Sequence, residues 1–246
     1  ESTHSIDISD AIGSNIRLDT RGTSVMRALP RLNDGVNEEW ISDKARMSVD
    51  GLHHQRLDTP MLRTADGGYE KKTWTQVLAG VKHKMDKIKI KNADNEIKAV
   101  VGDLVDSETI MAVKDMTNLM GSSNTAHADG LHIPADLRTH YLLNTNIAKF
   151  DESDLIVLVG TNPRMEAPIL NARIRKQTFN RRVQVVGIGP EADLAMENVK
   201  WLGNDMASVD QLLDANSKLH TKIKKAKKPI ILFGPSMFTS PELSQT

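Results

Sequence analysis

The chain has 246 residues, 39% hydrophobic and 26% charged, enough to bury a core as one or two domains. Its 32 basic and 32 acidic residues balance, so no global field draws in nucleic acid or anionic lipid. The absence of cysteine excludes disulfides, thiolate nucleophiles and any cysteine-ligated zinc or iron–sulfur cluster within this chain. The longest apolar runs are about five residues, against the ~20 that a membrane helix needs. No targeting segment is readable, and Glu1 is expected to be a processed or a cut end.

Residues 1–30 read as β structure. Ile16 and Leu18 alternate with polar neighbours, Thr20-Arg21-Gly22-Thr23 makes a turn, and Val25 to Leu29 supplies the return strand. Residues 31–66 are irregular and polar, anchored by Trp40, Ile41, Leu52 and Leu57. From Gly67 helices alternate with short apolar strands. Thr73-x-x-Gln76 is a capping box before Trp74, Val77, Leu78, Val81, Met85 and Ile88 at helical spacing, with Lys82, Lys84, Lys87 and Lys89 on the solvated face. Ala99–Gly102 is a short strand, and Asp106 or Ser107 caps a helix through Ile110, Val113, Met116, Leu119 and Met120 that stops at Gly121.

The segment 154–176 carries the most information. Leu155–Val159 is an apolar run of the kind buried on both faces of a parallel sheet. Thr161-Asn162-Pro163-Arg164 turns at its carboxyl end, where open α/β sheets place ligands. Pro168 opens a helix bearing Ala167, Leu170 and Ile174, with Arg173, Arg175 and Lys176 further along. Val183–Gly187 is another strand, Ser208-x-x-Gln211 a second capping box, and Pro229–Gly234 a final strand. Four strands interleaved with helices predict an α/β fold with a doubly wound, mainly parallel sheet. Only a dozen residues follow the last strand, so the fold is expected to be cut short there.

The candidate chemistry is sparse. Gly187-Ile188-Gly189-Pro190-Glu191-Ala192 fits G-x-G-x-x-G/A, the dinucleotide fingerprint, but Glu191–Glu197 allows two helical turns at most before Val199–Leu202 reads as extended. No acidic residue ends a second strand about twenty residues on. A turn between sheet and loop is the better reading. His127, His132 and His140 lie in a loop-like stretch and His53-His54 are adjacent; only His127-x₄-His132 has ligand spacing, with Asp129 and Asp136 as the nearby carboxylates, so these read as surface histidines. Arg164, Glu166, Arg173 and Arg175 could form an anion site near the strand ends, but ion pairs that lock this helix against a neighbouring domain or subunit are the favoured reading. No nucleophile elbow, zincin motif or P-loop is present.

A series of longer segments carries a resemblance. Gly13-Ser14-Asn15-Ile16, Met26-Arg27, Leu29-Pro30-Arg31, Asn37–Lys44, Asp50-Gly51-Leu52, Gln55-Arg56-Leu57, Leu137-Arg138, Tyr141–Thr145 and Val159–Lys176 occur in order. Together they resemble the family of the largest iron–sulfur subunit of mitochondrial respiratory complex I, NADH:ubiquinone oxidoreductase, a branch of the molybdopterin oxidoreductases. The likeness is weakest at 87–97, 122–133 and 190–246. It implies a small β-rich domain over residues 1–66, a cysteine-less relic of a cluster-binding domain in which Ile41-Ser42-Asp43-Lys44 stands where a Cys-Pro-Lys element is expected. Residues 67–246 would then be a molybdopterin oxidoreductase-like α/β domain, truncated at its carboxyl side, in a fragment or a divided subunit.

The resemblance further implies no catalytic, cofactor-binding or metal-binding residue in this chain. The 2Fe–2S and 4Fe–4S clusters would lie in a cluster-bearing part of the same subunit or in a partner chain. The expected partners are other complex I subunits of the peripheral arm, without nucleic acid or direct membrane insertion, on the matrix side of the mitochondrial inner membrane. Two alternatives stay open: a molybdopterin-dependent oxidoreductase fragment, formate dehydrogenase-like, that keeps Thr161–Arg164 as a pterin contact, and an NAD-binding module that uses Gly187–Ala192.

Overall fold

A computed structural model describes residues 1–90, 96–102, 104–128, 137, 139, 141–181 and 183–239. The chain folds as two compact units, one of residues 1–52 with 132–246 and one of residues 53–131.

The amino-terminal part is an antiparallel meander of β1 (Ser2–Ile6), β2 (Asn15–Arg21) and β3 (Ser24–Pro30). Gly22, at φ +59°, makes the turn between β2 and β3. Asp19 sits at a register irregularity and accepts from Ser2, Arg27 and Arg17. The Ser2 hydroxyl, with the two guanidiniums, holds its carboxyl well below the usual carboxylate range. The following loop is organised by the buried amide of Asn37. It accepts the Asn15 N–H at 2.9 Å and shares its own N–H groups among the carbonyls of Asn15, Arg31 and Trp40. Ser42 then caps α1 (Asp43–Met47) by accepting from the Ala45 N–H, which brings Ile41 and Ala45 against Ile16.

The unit of residues 53–131 is thinly packed. A hairpin of β4 (Met61–Arg63) and β5 (Tyr69–Lys71) leads into α2 (Trp74–Ile90), whose first turn carries the expected capping box: Thr73 N–H to Gln76 Oε1 at 3.0 Å, Gln76 N–H to Thr73 Oγ1 at 3.4 Å. β6 (Ala99–Val101) is followed by α3 (Ser107–Leu119), capped by Asp106 through the Thr109 N–H, and by β7 (Thr125–His127). The apolar stripes of α2 and α3 border an open groove of about 450 Å³ lined by Leu78, Val81, Met85, Ile97, Met116 and Met120.

The centre of the first unit is a four-stranded, wholly parallel sheet. It is built from β8 (Leu155–Val159), α4 (Pro163–Glu166), α5 (Pro168–Arg181), β9 (Gln184–Ile188), β10 (Val199–Trp201), α6 (Met206–Asp210), α7 (Lys218–Lys225), β11 (Pro229–Phe233) and α8 (Ser236–Thr239). The strand order is β10-β9-β8-β11, with Ile156 of β8 opposite Val185 on one side and Ile230 on the other. All five β8 residues are buried because both sheet faces are covered. Ile156, Leu158 and Val185 pack with Phe150 and with Leu170 and Ile174 of α5. On the opposite face Leu155, Val157, Val159, Val186 and Ile188 pack with Leu219 and Ile223 of α7 and Val209 of α6.

Two expectations change. Ala99–Val101 does form a strand, but it pairs in parallel with Thr125–His127 in the other unit, not with the central sheet. Val100 is exposed and its two neighbours are half-buried, so it is not the fully buried element a central strand must be. Ser208 does not cap a helix either. Asp205 caps α6 by accepting the Ser208 N–H at 2.9 Å, and Ser217 caps α7 by accepting the His220 N–H at 2.9 Å. The carboxylate three residues ahead outcompetes the serine because an ionised acceptor makes the stronger hydrogen bond.

One buried cation ties the meander's loop to the sheet. Arg173 on α5 has a side chain only 5% exposed. Its Nε and Nη2 form a fork onto Asp151, at 3.0 and 2.9 Å, and its Nη1 and Nη2 also donate to the carbonyls of Val36 and Asp34 at 2.9 and 2.6 Å. Gln177 and the Arg181 guanidinium also donate to Asp151, and Lys176 binds Glu38 at 2.6 Å. A second tie joins the starts of β8 and β11, where Asp154 accepts the N–H groups of Lys227 and Lys228 at 2.7 and 3.0 Å.

Replacing Arg173 by Met should lower the unfolding free energy by about 3 kcal/mol in denaturant titrations, because it strands Asp151 and two carbonyls. The double variant Arg173→Met/Asp151→Leu should recover part of that loss. The Lys227 and Lys228 amides hold the Asp154 carboxyl below its usual range. Its stabilising contribution is therefore complete above the unfolded-state pKa and lost as pH falls through the lowered folded value. Asp154→Asn should flatten the acid limb of a stability-versus-pH curve below about pH 4 and leave the neutral limb parallel to wild type.

Candidate functional site

In an open parallel sheet the place for a ligand is the crevice beyond the carboxyl ends of the strands. Here that crevice is formed by the turn after β8, the loop after β9 and the start of α8, around a cavity of about 180 Å³. Its lining includes Gly160, Gly189, Asn204, Asp205, Ser236 and Met237.

The turn after β8 has the donors an anion would use, but they are engaged within the chain. The Thr161 hydroxyl donates to Glu166 Oε2 at 2.5 Å and the Asn162 N–H to Glu166 Oε1 at 3.0 Å. Glu166 therefore holds its carboxylate where a phosphate oxygen would sit, and a second anion would meet both a filled position and a like charge. The cavity's charged group is Asp205, also an anion, kept below the usual carboxylate range by the Ser208 hydroxyl and N–H. These residues do not fit the diphosphate of a pterin or nicotinamide dinucleotide.

The glycines of the crevice serve packing of chain on chain. A Cβ on Gly160 would lie 2.7 Å from Met237 Cγ, and the Ser236 hydroxyl donates to the Gly160 carbonyl. A Cβ on Gly234 would lie 2.3 Å from Thr161 Cβ. In the fingerprint-like segment, a Cβ on Gly187 would lie 2.3 Å from the Trp201 ring, so this glycine is required by the β10 neighbour. Gly189, at φ +132°, donates its N–H to Gly203 O at 2.7 Å. Residues 190–198 form no helix, so the helix N-terminus on which a dinucleotide fingerprint depends is lacking.

The four residues considered as an anion site are each held separately. Arg164 pairs with Asp193 at 2.5 Å, and the Ala195 N–H, with that guanidinium second, holds the Asp193 carboxyl low. Arg175 donates to Ala195 O at 2.7 Å, Glu166 closes its own turn, and Arg173 is the buried tie described above. The four side chains therefore do not converge on one point: Arg164 and Glu166 lie on α4, and Arg173 and Arg175 on α5. Sequence reasoning missed Asp151 and Glu38, the carboxylate acceptors of that tie, and Asn37, which organises the loop beside it; the only signal was their place in polar segments flanking apolar ones. His53 and His54 are exposed, His127 ends β7, and His132 and His140 lie outside the described residues. Among the described residues no group of three His, Asp or Glu side chains is placed to hold a metal ion.

Comparison with known proteins places this arrangement. The family profile "Molybdopterin oxidoreductase" matches residues 56–246. The chain belongs to the molybdopterin oxidoreductase family. A second profile, "NADH-ubiquinone oxidoreductase NDSU1/NuoG-like, 4Fe-4S domain", matches residues 1–50 of this molybdopterin oxidoreductase-family chain. The chain is 44% identical over 237 residues to NADH dehydrogenase [ubiquinone] iron-sulfur protein 1, mitochondrial, of Solanum tuberosum, covering 96% of this chain and 31% of the relative. It is 42% identical over 248 residues to the NADH-ubiquinone oxidoreductase 75 kDa subunit of Reclinomonas americana, covering 95% and 35%. It is also 42% identical to the 78 kDa subunit of Candida albicans, covering 97% and 33%. The chain thus spans about a third of the length of these relatives. Among solved structures, acetylene hydratase from Pelobacter acetylenicus superposes with a TM-score of 0.57 at 14% identity, covering 81% of this chain and 29% of that one, a likeness of fold.

If the fingerprint glycine is a packing glycine, Gly187→Ala should cost about 1–3 kcal/mol by overpacking. Adding Trp201→Val should restore most of that stability in thermal unfolding. A ligand-binding glycine would not be rescued from across the strand pair.

Proposed function

We propose that this chain is a framework portion of the peripheral arm of respiratory complex I, the NADH:ubiquinone oxidoreductase. In this reading it supports the iron–sulfur chain from NADH to ubiquinone without holding a cluster, and docks neighbouring subunits on the matrix side of the mitochondrial inner membrane. Catalytic, cofactor and metal residues lie outside it. The finer architecture belongs to the same proposal: a doubly wound sheet over 67–246, preceded by a cysteine-less relic of a cluster-binding domain over 1–66.

The names of the curated relatives and the 4Fe-4S profile over residues 1–50 support the assembly. Three facts support the supporting role. The chain has no cysteine for the clusters of such a protein. The Glu166 carboxylate takes the donors of the strand-tip turn. Arg173 ties the loop at 34–38 rigidly to the sheet, as a part that fixes distances requires. The observation that carries the reading is the Glu166 contact, because it turns the ligand-facing turn of the family fold into a closed structural element. No helix among the described residues is long and apolar enough to cross a membrane.

The competing reading, a molybdopterin-dependent oxidoreductase, draws on the match over residues 56–246. Two measurements separate them. The purified chain mixed with NADH and a dye acceptor should give no turnover, and elemental analysis of the complex purified through it should find iron without stoichiometric molybdenum. One molybdenum per chain would overturn the framework reading.

A further inference from the structure

The profile match over residues 1–50 is to a 4Fe-4S domain, and such a cluster is held by thiolates. The polar side chains buried in that segment are Asp7, Ser14, Asn37 and Ser42, oxygen and amide groups that do not fit iron and sulfide. Asn37 organises its loop and Ser42 caps α1, as described above. Asp7 and Ser14 flank the loop between β1 and β2, with Asp10 between them.

That loop gathers two carboxylates and a hydroxyl. The Asp7 N–H donates to the Ser14 carbonyl at 2.8 Å, which carries the β1–β2 register one step past Ile6 and Asn15. Residues opposite each other on antiparallel strands project to one face, here the face of Ile16 that Ile41 and Ala45 cover. The Asp7 and Ser14 side chains therefore lie on the same buried side, at 6% and 0% exposure. Asp10 is near enough to feel its neighbour. Burial pushes the Asp10 carboxyl up, the Asp7 charge adds to the effect, and the Ile12 N–H opposes it. Among the described residues four buried side-chain atoms have no hydrogen-bond partner, and two of them fall in this loop: Asp10 Oδ2 and Ser14 Oγ. Lys44, the ammonium that faces Asp10 from α1, donates to the Ser9 carbonyl at 2.8 Å and to neither carboxylate. A buried carboxylate oxygen and a buried hydroxyl left without partners are costly. The surrounding chain seals both atoms from solvent, so a side chain from outside this segment does not reach them. The group they require is small, and beside two carboxylates it is a cation.

We propose that Asp7, Asp10 and Ser14 form a structural site for a hard divalent cation, and that calcium is the ion it suits. Carboxylate and hydroxyl oxygens in an irregular loop are donors that calcium accepts, whereas magnesium gives up its waters reluctantly and a sealed group of oxygens needs a bare ion. Asp10 Oδ2 and Ser14 Oγ bind the ion directly. The two Asp7 oxygens each accept one hydrogen bond from Ser9, at 2.9 and 3.0 Å, and keep lone pairs for the same ion. Bound there, the ion fixes the turn from β1 into β2, next to Asn15, whose N–H Asn37 accepts. It carries no electron, so the redox metals of the framework reading remain outside the chain. The inference rests on this loop alone and stands whether or not the chain serves complex I.

The test uses the whole chain, stripped with a chelator and titrated with calcium chloride, with backbone amide resonances and thermal unfolding as readouts. Calcium should shift the resonances of residues 7–15 saturably, with a dissociation constant on the order of 10⁻⁴ M, the range of weak calcium sites. At about fifty times that concentration it should raise the unfolding midpoint by roughly 5 °C. Asp10→Asn should unfold in chelator no lower than wild type, because it removes one of two neighbouring like charges. It should nevertheless bind calcium at least about tenfold more weakly. Ser14→Ala should weaken binding too, and Asp66→Asn, on an exposed turn of the other unit, should leave it unchanged. No calcium-dependent change at residues 7–15, the result if a water molecule or a proton satisfies the two oxygens, would overturn the proposal. So would an equal response to magnesium or potassium chloride, or undiminished binding by Asp10→Asn.

Discussion

A buried guanidinium must have its donors met by acceptors with fixed positions, and in this chain that requirement sets how the two ends of the first unit sit together. Arg173 lies under the loop of residues 34–38 and reaches Asp151, which precedes the central strand β8. Left without any one of these acceptors, the cation would carry the cost of an unpaired buried charge, so the loop and the strand entrance are held jointly. Lys176 and Glu38 close the rim of the same contact, and Asn37 fixes the loop from its other side by binding the backbone of β2 and Trp40. An antiparallel meander and a parallel sheet with separate cores are thereby joined within one compact unit.

The same economy holds at the strand tips. Architectures of this kind leave N–H groups, hydroxyls and glycines exposed beyond the carboxyl ends of their strands so that a phosphate-bearing cofactor can approach. This chain has those elements and satisfies them internally. Glu166 binds the donors of the turn, α8 presses on Gly160, and Trp201 covers Gly187. The side chains that could have faced a cofactor now stiffen the junctions between strand, turn and helix. That suits the framework role proposed above.

Much of this was legible in the sequence where local physics decides the outcome. The run Leu155–Val159 announced a strand covered on both faces, and the Thr73–Gln76 pair and Asp106 announced helix starts, because periodicity and capping chemistry are written in adjacent residues. The choice between Asp205 and Ser208 as a cap turned on which acceptor was stronger, and spacing alone misled. The strand at Ala99–Val101 was visible, but its partner Thr125–His127 was not, since a three-residue strand has too little pattern to distinguish it from loop. The expected ion pairs to a neighbouring domain or subunit match only the contact of Arg173 with the loop at 34–38; Arg164 and Arg175 bind residues 193 and 195 of the same sheet unit. The Arg173 acceptors, Asp151 and the carbonyls of Asp34 and Val36, lie more than twenty residues away or on the backbone, where sequence pattern carries no information.

Closure of the crevice depends on the Thr161 and Asn162 donors being committed to Glu166. The most direct measurement follows the backbone amide resonances of Thr161, Asn162 and Gly189 while a nucleoside diphosphate, and separately NAD, is titrated into the purified chain. If the crevice is closed by its own carboxylate, these resonances stay in place at millimolar ligand. A saturable shift confined to them would show a working anion site and contradict the account.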